Sequence, residues 1–513
     1  MIICLFVHTI TYPNFLSFDL PIYSSISFSL NYHTLIIFYF CIMELEREEQ
    51  LEEPVSPIGQ YFNSSVLCLY IIGVLEFEVP IDDLQTFSLL QDVFLPISPR
   101  FSSIMIQDKN GEKRWKQVDV NLKDHVKTPI FSKGKTLEFY EKCFVDYLST
   151  IAMEQLPQER PLWEVHIVNY PTSDSLGTII FKLHHALGDG YSLMGALLSC
   201  LQRADDSSLP LSFPSLRPSK SESSSKSIWI RFSRTMSSVF NTASDFGWSV
   251  LKSSIIDDDK TPIRFGDEGA DFQPISISSI AFSIDHIKDI KSRLGVTLND
   301  VVTGIVFYGT RLYMQNLDSK SKTANSTALV LLNTRNIEGY QSIDEMLNTK
   351  KTKGPWGNKI SFLHVPIPKL NGSNISNPLE FIWDTHNIIK RKKQSLGVAL
   401  TGTLLDIEGK FRGQEAVAKH IRRTITNSSA VVTNLVGPIQ KMSLANHPVK
   451  GFYFTLAGGP ESLVISIMSY MEVVRVTLKT EKEFIDEQRL KSCMQSSFEM
   501  IFKAAKKIPH HTN

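Results

Sequence analysis

The chain has no excess of either charge: 53 Lys and Arg stand against 53 Asp and Glu in 513 residues. With no basic field to hold a polyphosphate backbone, nucleic acid is excluded as a partner. Cysteine is sparse and scattered, at Cys4, Cys41, Cys68, Cys143, Cys200 and Cys493, without a Cys-x-x-Cys pair. That excludes a disulfide framework and a zinc ribbon, and it fits a reducing compartment. Long apolar runs are lacking too. Met1 to Val7, Thr34 to Met43 and Val66 to Phe77 all fall short of the roughly 20 residues that span a bilayer. The first 42 residues carry one charged side chain, Asp19, and no Lys or Arg, so they lack the positive region of a secretory signal. What is present, 42% hydrophobic and 21% charged, is a globular composition. The length exceeds a single core and suggests two or three domains.

The densest chemistry lies in Thr178 to Arg203, TIIFKLHHALGDGYSLMGALLSCLQR. A β-branched run ends in two histidines, a Gly-Asp-Gly turn follows, and an apolar helical stretch starts directly after it. Successive strand residues point to opposite faces, so His184 and His185 cannot both look the same way. Gly188 and Gly190 flank Asp189 and allow the positive φ or close backbone approach of a sharp strand-to-helix turn. Asp189 can then fold back towards an imidazole, as a carboxylate does when it orients a histidine that takes a proton from a hydroxyl. Taken alone, a histidine pair before a turn is more often a packed residue than a catalyst. A metal reading of His-x-x-x-Asp is weaker still, because no third His, Cys or Glu lies at ligand spacing nearby, and no metal is expected.

The whole string HHALGDG, His184 to Gly190, resembles the HHxxxDG signature of the CoA-dependent acyltransferase superfamily. Within it the chain is similar to the plant wax ester synthase/diacylglycerol acyltransferase family. ERPLWEVHIV (Glu159 to Val168), LNDVV (Leu298 to Val302), LVLLNTRN (Leu329 to Asn336), WGNKISFLHVPIP (Trp356 to Pro368) and TNLVGP (Thr433 to Pro438) follow that family's order and approximate spacing. No DFGWG-type element of the plant BAHD enzymes lies near the C-terminus; the DFGW present, Asp245 to Trp248, is mid-chain. The resemblance covers about Glu44 to Ile508.

It implies an α/β fold of two chloramphenicol acetyltransferase-like subdomains, with mixed sheets flanked by helices and a channel between them. It also implies transfer of an acyl group from acyl-CoA, as co-substrate with no further cofactor, to a long-chain fatty alcohol or diacylglycerol. His185 would be the general base, Asp189 would hold the turn and the histidine's orientation, and Asn299 of the ND element would lie across the channel. His184, Gly188 and Gly190 would be structural, and Pro161, Leu162 and Trp163 would line the channel or simply pack. A membrane surface, at the endoplasmic reticulum or plasma membrane, is implied in the same way. Two alternatives stay open: a relative that acylates a soluble alcohol or amine, and an inactive lipid-binding relative.

The resemblance places the natural start at Met43, leaving residues 1–42 as a non-native extension; the rival reading is a membrane-associating leader. Residues 43–204 form the first subdomain, 205–262 a linker or crossover, and 263–513 the second. Asp205 to Ser227 is rich in Ser and Pro and reads as an exposed loop. Ile228 to Ile256 reads either as an amphipathic helix on a bilayer surface or as a helix packed between halves. Ser192 to Ala204 is expected as a helix, Asn299 or Asp300 as the cap of the next long one, and Lys390 to Lys393 as a solvated basic face. The TRN and WGN turns are expected to be structural.

Overall fold

The computed structural model describes residues 53–109, 112–211, 242, 244–266, 273–333, 356–358, 360–372, 377–393 and 397–509. The expectations for residues 1–42, for the first part of the Ile228 to Ile256 segment and for the TRN turn fall outside them.

Two mixed sheets carry the fold. In the first, seven strands run in the order Val126–Lys127, Trp163–Val168, Gly177–His184, Tyr70–Phe77, His447–Ala457, Met442–Leu444 and Leu201–Arg203. Its centre is fully buried: every residue of Tyr70–Phe77 and of Gly177–His184 is inside. That is why these stretches read as unbroken apolar runs without a polar alternation. The second sheet has six strands, Ile360–Pro366, Thr327–Asn333, Ala430–Val436, Leu463–Tyr470, Val473–Glu481 and Ile275–Ser283. Helices Ile284–Leu294, Leu298–Leu317, Pro378–Lys393 and Glu487–Ala505 supply much of the core packed against it. A smaller three-stranded sheet joins Glu53–Pro54, Lys113–Gln117 and Ser103–Gln107.

The sheets do not respect the partition expected from the sequence. Residues 442–457, well inside the second half, cross over and add two strands to the first sheet. This crossover also ends the helix after the motif early. It stops at Ser199, and Leu201–Arg203 instead pairs with Met442–Leu444, so a tertiary partner overrides the local helical pattern. The sheets are tied by a buried ion pair between Glu76 and Arg475 at 2.7 Å, with the guanidinium also over the Tyr453 ring. Truncating one partner of such a pair strands the other charge, which matters more than the pair's own net stabilisation.

The second core helix is capped by Thr297, not by Asn299 or Asp300. Its hydroxyl accepts from Asp300 N, and the Asp300 carboxylate returns a bond to Thr297 N at 2.9 Å, a reciprocal capping box. Asp300 also accepts from His386 Nδ1 at 2.7 Å. The basic run Lys390 to Lys393 forms the last turn of Pro378–Lys393, where cations complement the helix dipole. It is not wholly solvated: Lys392 is buried, with Nζ 2.8 Å from Asp245.

Candidate active site

Strand Gly177–His184 delivers the motif by pairing antiparallel with Tyr70–Phe77, His184 opposite Tyr70. The two histidines diverge as alternation requires. His184 is fully buried, its Nδ1 accepts from Ala186 N at 3.0 Å, and its Nε2 lies 3.3 Å from Cys68 Sγ. With Nδ1 used as an acceptor, the ring proton sits on Nε2. Burial, then the neighbouring His185, Lys113 and Lys182, pushes this imidazole down to about 3, so it stays neutral and serves packing.

His185 faces the other way, against the edge of Phe62, with ring centroids 4.7 Å apart. Its ring partner is Asn358, the last residue of the WGN turn. Asn358 Nδ2 donates to the His185 carbonyl at 2.9 Å, which forces Asn358 Oδ1 to be the atom 3.1 Å from His185 Nδ1. An amide oxygen only accepts, so Nδ1 carries the proton and Nε2 keeps its lone pair. Among the described residues no hydrogen bond is made to Nε2. Burial lowers the imidazole below the usual histidine value, and the Asp189 charge opposes that shift. The neutral, proton-accepting form therefore persists at pH 7.

Asp189 does not bond the imidazole. Its Oδ1 accepts from Ser192 N at 3.0 Å, capping helix Gly190–Ser199, and its charge reaches His185 only through space. Of the two reasons the sequence offered for these glycines, positive φ and close backbone approach, the first does not apply, since neither Gly188 nor Gly190 has a positive φ. Gly188 is needed for close approach instead: a Cβ there would lie 3.0 Å from Ser192 Cβ. The loop between histidine and aspartate is held from outside the motif. Leu187 O accepts from Arg100 Nη1 and from Trp356 Nε1, both at 3.1 Å, while Ser192 Oγ donates to Gly357 O at 3.0 Å.

Asn299 makes no hydrogen bond to His185. It accepts from Asn434 at 2.8 Å, and Leu435, the next residue of that strand, is the side chain a Cβ on Gly190 would meet at 3.6 Å. The ND element thus abuts the strand that faces the motif's helix. Pro161, Leu162 and Trp163 pack and do not line the cavity beside Cys68 and Tyr70. Trp163 is wholly buried, stacks on His125 and donates from its indole to Phe101 O at 2.8 Å; Leu162 O accepts His184 N. That cavity, about 570 Å³, opens between the halves on the His184 side, with Cys68, Tyr70, Lys113, Ile275, Arg422 and Lys479 in its wall.

The electrostatics predict a pH profile. A base whose pKa lies below 6.5 is competent above that pKa and is lost as pH falls through it, so the acid limb of kcat/KM should lie below pH 6.5. Asp189→Asn keeps a capping oxygen but removes the charge that raises His185. Its acid limb should move to still lower pH; an unmoved or raised limb would show that Asp189 does not act on His185 by charge.

Two family models match the chain: "Wax ester synthase/diacylglycerol acyltransferase catalytic domain" over residues 95–302 and "WS/DGAT C-terminal domain" over 356–502. Among curated proteins, wax ester synthase/diacylglycerol acyltransferase 7 of Arabidopsis thaliana is 30% identical over 463 residues, covering 85% of this chain and 94% of the relative. Number 4 of the same series is 28% identical, covering 90% and 92%. Among solved structures, the wax ester synthase/diacylglycerol acyltransferase from Marinobacter aquaeolei VT8 superposes with a TM-score of 0.57 at 16% identity, over 88% of this chain and 99% of that one. The first condensation domain of the CDA synthetase gives 0.51 at 13%, over 89% and 97%. The two-sheet α/β fold is therefore shared with acyl-transferring and condensing enzymes.

Proposed function

Since the chain belongs to the wax ester synthase/diacylglycerol acyltransferase family, we propose that it moves a long-chain acyl group from acyl-CoA to the hydroxyl of a fatty alcohol or diacylglycerol, with His185 as general base. The observation that carries this reading is the Asn358 clamp, which leaves the His185 proton on Nδ1 and the lone pair on Nε2. Nε2 takes the acceptor's hydroxyl proton as the oxygen attacks the thioester carbonyl. The tetrahedral intermediate then collapses, the C–S bond breaks, and the imidazolium returns its proton to the departing CoA sulfur. No acyl-enzyme is needed. Cys68, the thiol nearest the motif, is held protonated by burial, which raises its pKa, so it is not poised as a nucleophile. A histidine only 3% exposed also meets its substrate away from bulk water, which limits thioester hydrolysis. Expression in a host without neutral lipids, with and without fed fatty alcohol, tests the activity: wax ester or triacylglycerol should appear on lipid chromatograms. Neither product under either feeding would overturn it.

Because the acceptors are lipids, we place the protein at a cytosol-facing membrane surface, of the endoplasmic reticulum or the plasma membrane, and exposed apolar side chains on two helices support that reading. In helix 244–254, Asp245, Ser249 and Lys252 point inward, while Trp248 and Leu251, with Ile255 just beyond, are 41%, 43% and 71% exposed. The neighbouring helix Gly397–Arg412 exposes Leu400, Ile407 and Phe411, the last at 85%. Such an inverted arrangement suits a bilayer interface. No described helix is long and apolar enough to cross a membrane. In cosedimentation with phosphatidylcholine vesicles, Ile255→Asp combined with Phe411→Asp should lower the partition coefficient about thirtyfold, since each loses roughly 1 kcal/mol of apolar burial. Unchanged cosedimentation would rule this face out.

A further inference from the structure

A second polar cluster lies apart from the motif, where helix 244–254, strand Ile360–Pro366 and helix Gly397–Arg412 meet. Asp245, Ser249, Phe362, His364, Lys392 and Thr401 wall a cavity of about 10 Å³, close to the least room that holds one oxygen-sized group. Thr401 Oγ1 gives its proton to Gly397 O at 2.9 Å. Ser249 Oγ is an acceptor in its 3.4 Å contact with Thr401 and lies 3.2 Å from His364 Nδ1, so the imidazole is the acceptor for the hydroxyl's own proton. The His364 ring proton is then on Nε2. That atom is buried without a partner, and so is Asp245 Oδ2; the other oxygen of the carboxylate holds Lys392 at 2.8 Å.

Enclosed polar atoms are rarely left unpaired, and here two of them, one donor and one acceptor, belong to the wall of one small cavity. Whatever satisfies both must accept one hydrogen bond and donate another. A hydroxyl does so. A carboxylate or phosphate would meet Asp245 with like charge, and an ammonium offers His364 no acceptor. Burial, with Lys392 and Lys252 nearby, pushes His364 down to about 3, so it remains neutral.

The strand's geometry says which hydroxyl. Phe362 packs with the first half's core, whereas Leu363 and Val365 belong to the second; His364, two residues from Phe362, shares its face. His364 also follows Asn358, which holds His185, by six residues, so their backbones are at most roughly 20 Å apart. A long alkyl chain reacting at His185 has the length to bring its far end to this pocket. Resting on the acyltransferase reading above, we propose that the Asp245/His364 pocket is a second hydroxyl-recognition site, taking the distal hydroxyl of a long-chain α,ω-diol acceptor or of an ω-hydroxyacyl donor.

The test is equilibrium binding to the purified full chain, in two arms: 1,16-hexadecanediol against 1-hexadecanol, and 16-hydroxyhexadecanoyl-CoA against palmitoyl-CoA. In at least one arm the hydroxylated member should bind about tenfold tighter, as one or two net hydrogen bonds give, and the arm that responds identifies the source. His364→Leu should bring that ratio near one without weakening the unhydroxylated partner. Ser249→Ala, which frees the imidazole to change tautomer, should reduce it and stands in if His364→Leu does not fold. Ratios near one in both wild-type arms would overturn the site, leaving an ordered water as its occupant, and so would a preference that survives both variants. Loss of ester formation by wild type counts against the acyltransferase reading alone, because binding is measured without turnover.

Discussion

Replacing His185 with alanine is expected to lower ester formation by roughly 10²- to 10⁴-fold, the range a positioned general base supplies, with the protein still folded. The backbone at this position keeps its bonds: the amide donates to Leu69 O at 2.8 Å and the carbonyl accepts from Asn358 at 2.9 Å, neither involving the imidazole. What is lost besides the base is the partner of Asn358 Oδ1, a buried acceptor whose desertion costs about 1–3 kcal/mol, and the packing against Phe62. A lower melting temperature with an intact cooperative transition is therefore part of the expected result. The measurement is ester formation per folded molecule, from acyl-CoA with hexadecanol and with diacylglycerol as separate acceptors. Because one base serves both hydroxyls, the two rates should fall together. A purified His185→Ala protein that retains most of either rate would remove His185 from the chemistry.

What the sequence allowed and what it concealed divide by distance along the chain. Helix Ile284–Leu294 is encoded locally: Ile284, Ile287, Ile290 and Leu294 recur at helical spacing on its buried side, and Gly295 closes it at φ 65°. The motif strand was legible for the same reason, as was the opposite orientation of the two histidines. Local chemistry misled at the next helix, where Asn299 and Asp300 looked like caps; the cap is Thr297, and Asp300 serves as its reciprocal partner. The WGN turn looked merely structural, yet it provides the only ring hydrogen bond to His185 among the described residues, from 173 positions away. No periodicity encodes such a pair. The one available signal was that WGNKISF belonged to the family elements, with a polar residue just ahead of a strand. Asp189 was legible as the residue that holds the turn, which it does by accepting from Ser192 N; hidden was that it acts on His185 through its charge and not through a hydrogen bond to the ring. The crossover of residues 442–457 was hidden too, since pairing between distant strands leaves no local trace.

The role of Asn358 separates sharply in two substitutions. Asn358→Leu removes the acceptor for Nδ1–H and the donor to the His185 carbonyl, leaving two buried groups unpaired at about 1–3 kcal/mol each. It also frees the ring to place its proton on Nε2, the tautomer that cannot accept from substrate, so kcat should fall about 10²-fold or more at every pH. Asn358→Asp behaves differently. Its carboxylate still accepts from Nδ1–H, and by favouring the imidazolium it raises the His185 pKa. A base with a raised pKa is lost at higher pH, so the acid limb of kcat/KM should move up, opposite in sign to the shift expected for Asp189→Asn, while activity on the alkaline plateau survives. Asp cannot donate to the His185 carbonyl, and the resulting repulsion should lower the melting temperature as well. A purely structural Asn358 would give two destabilised proteins whose folded fractions share the wild-type pH profile. An acid limb that stays in place in Asn358→Asp, together with near-normal kcat per folded molecule in Asn358→Leu, would show that the amide does not set the histidine's tautomer, and with it would fall the reason for regarding Nε2 as the proton acceptor.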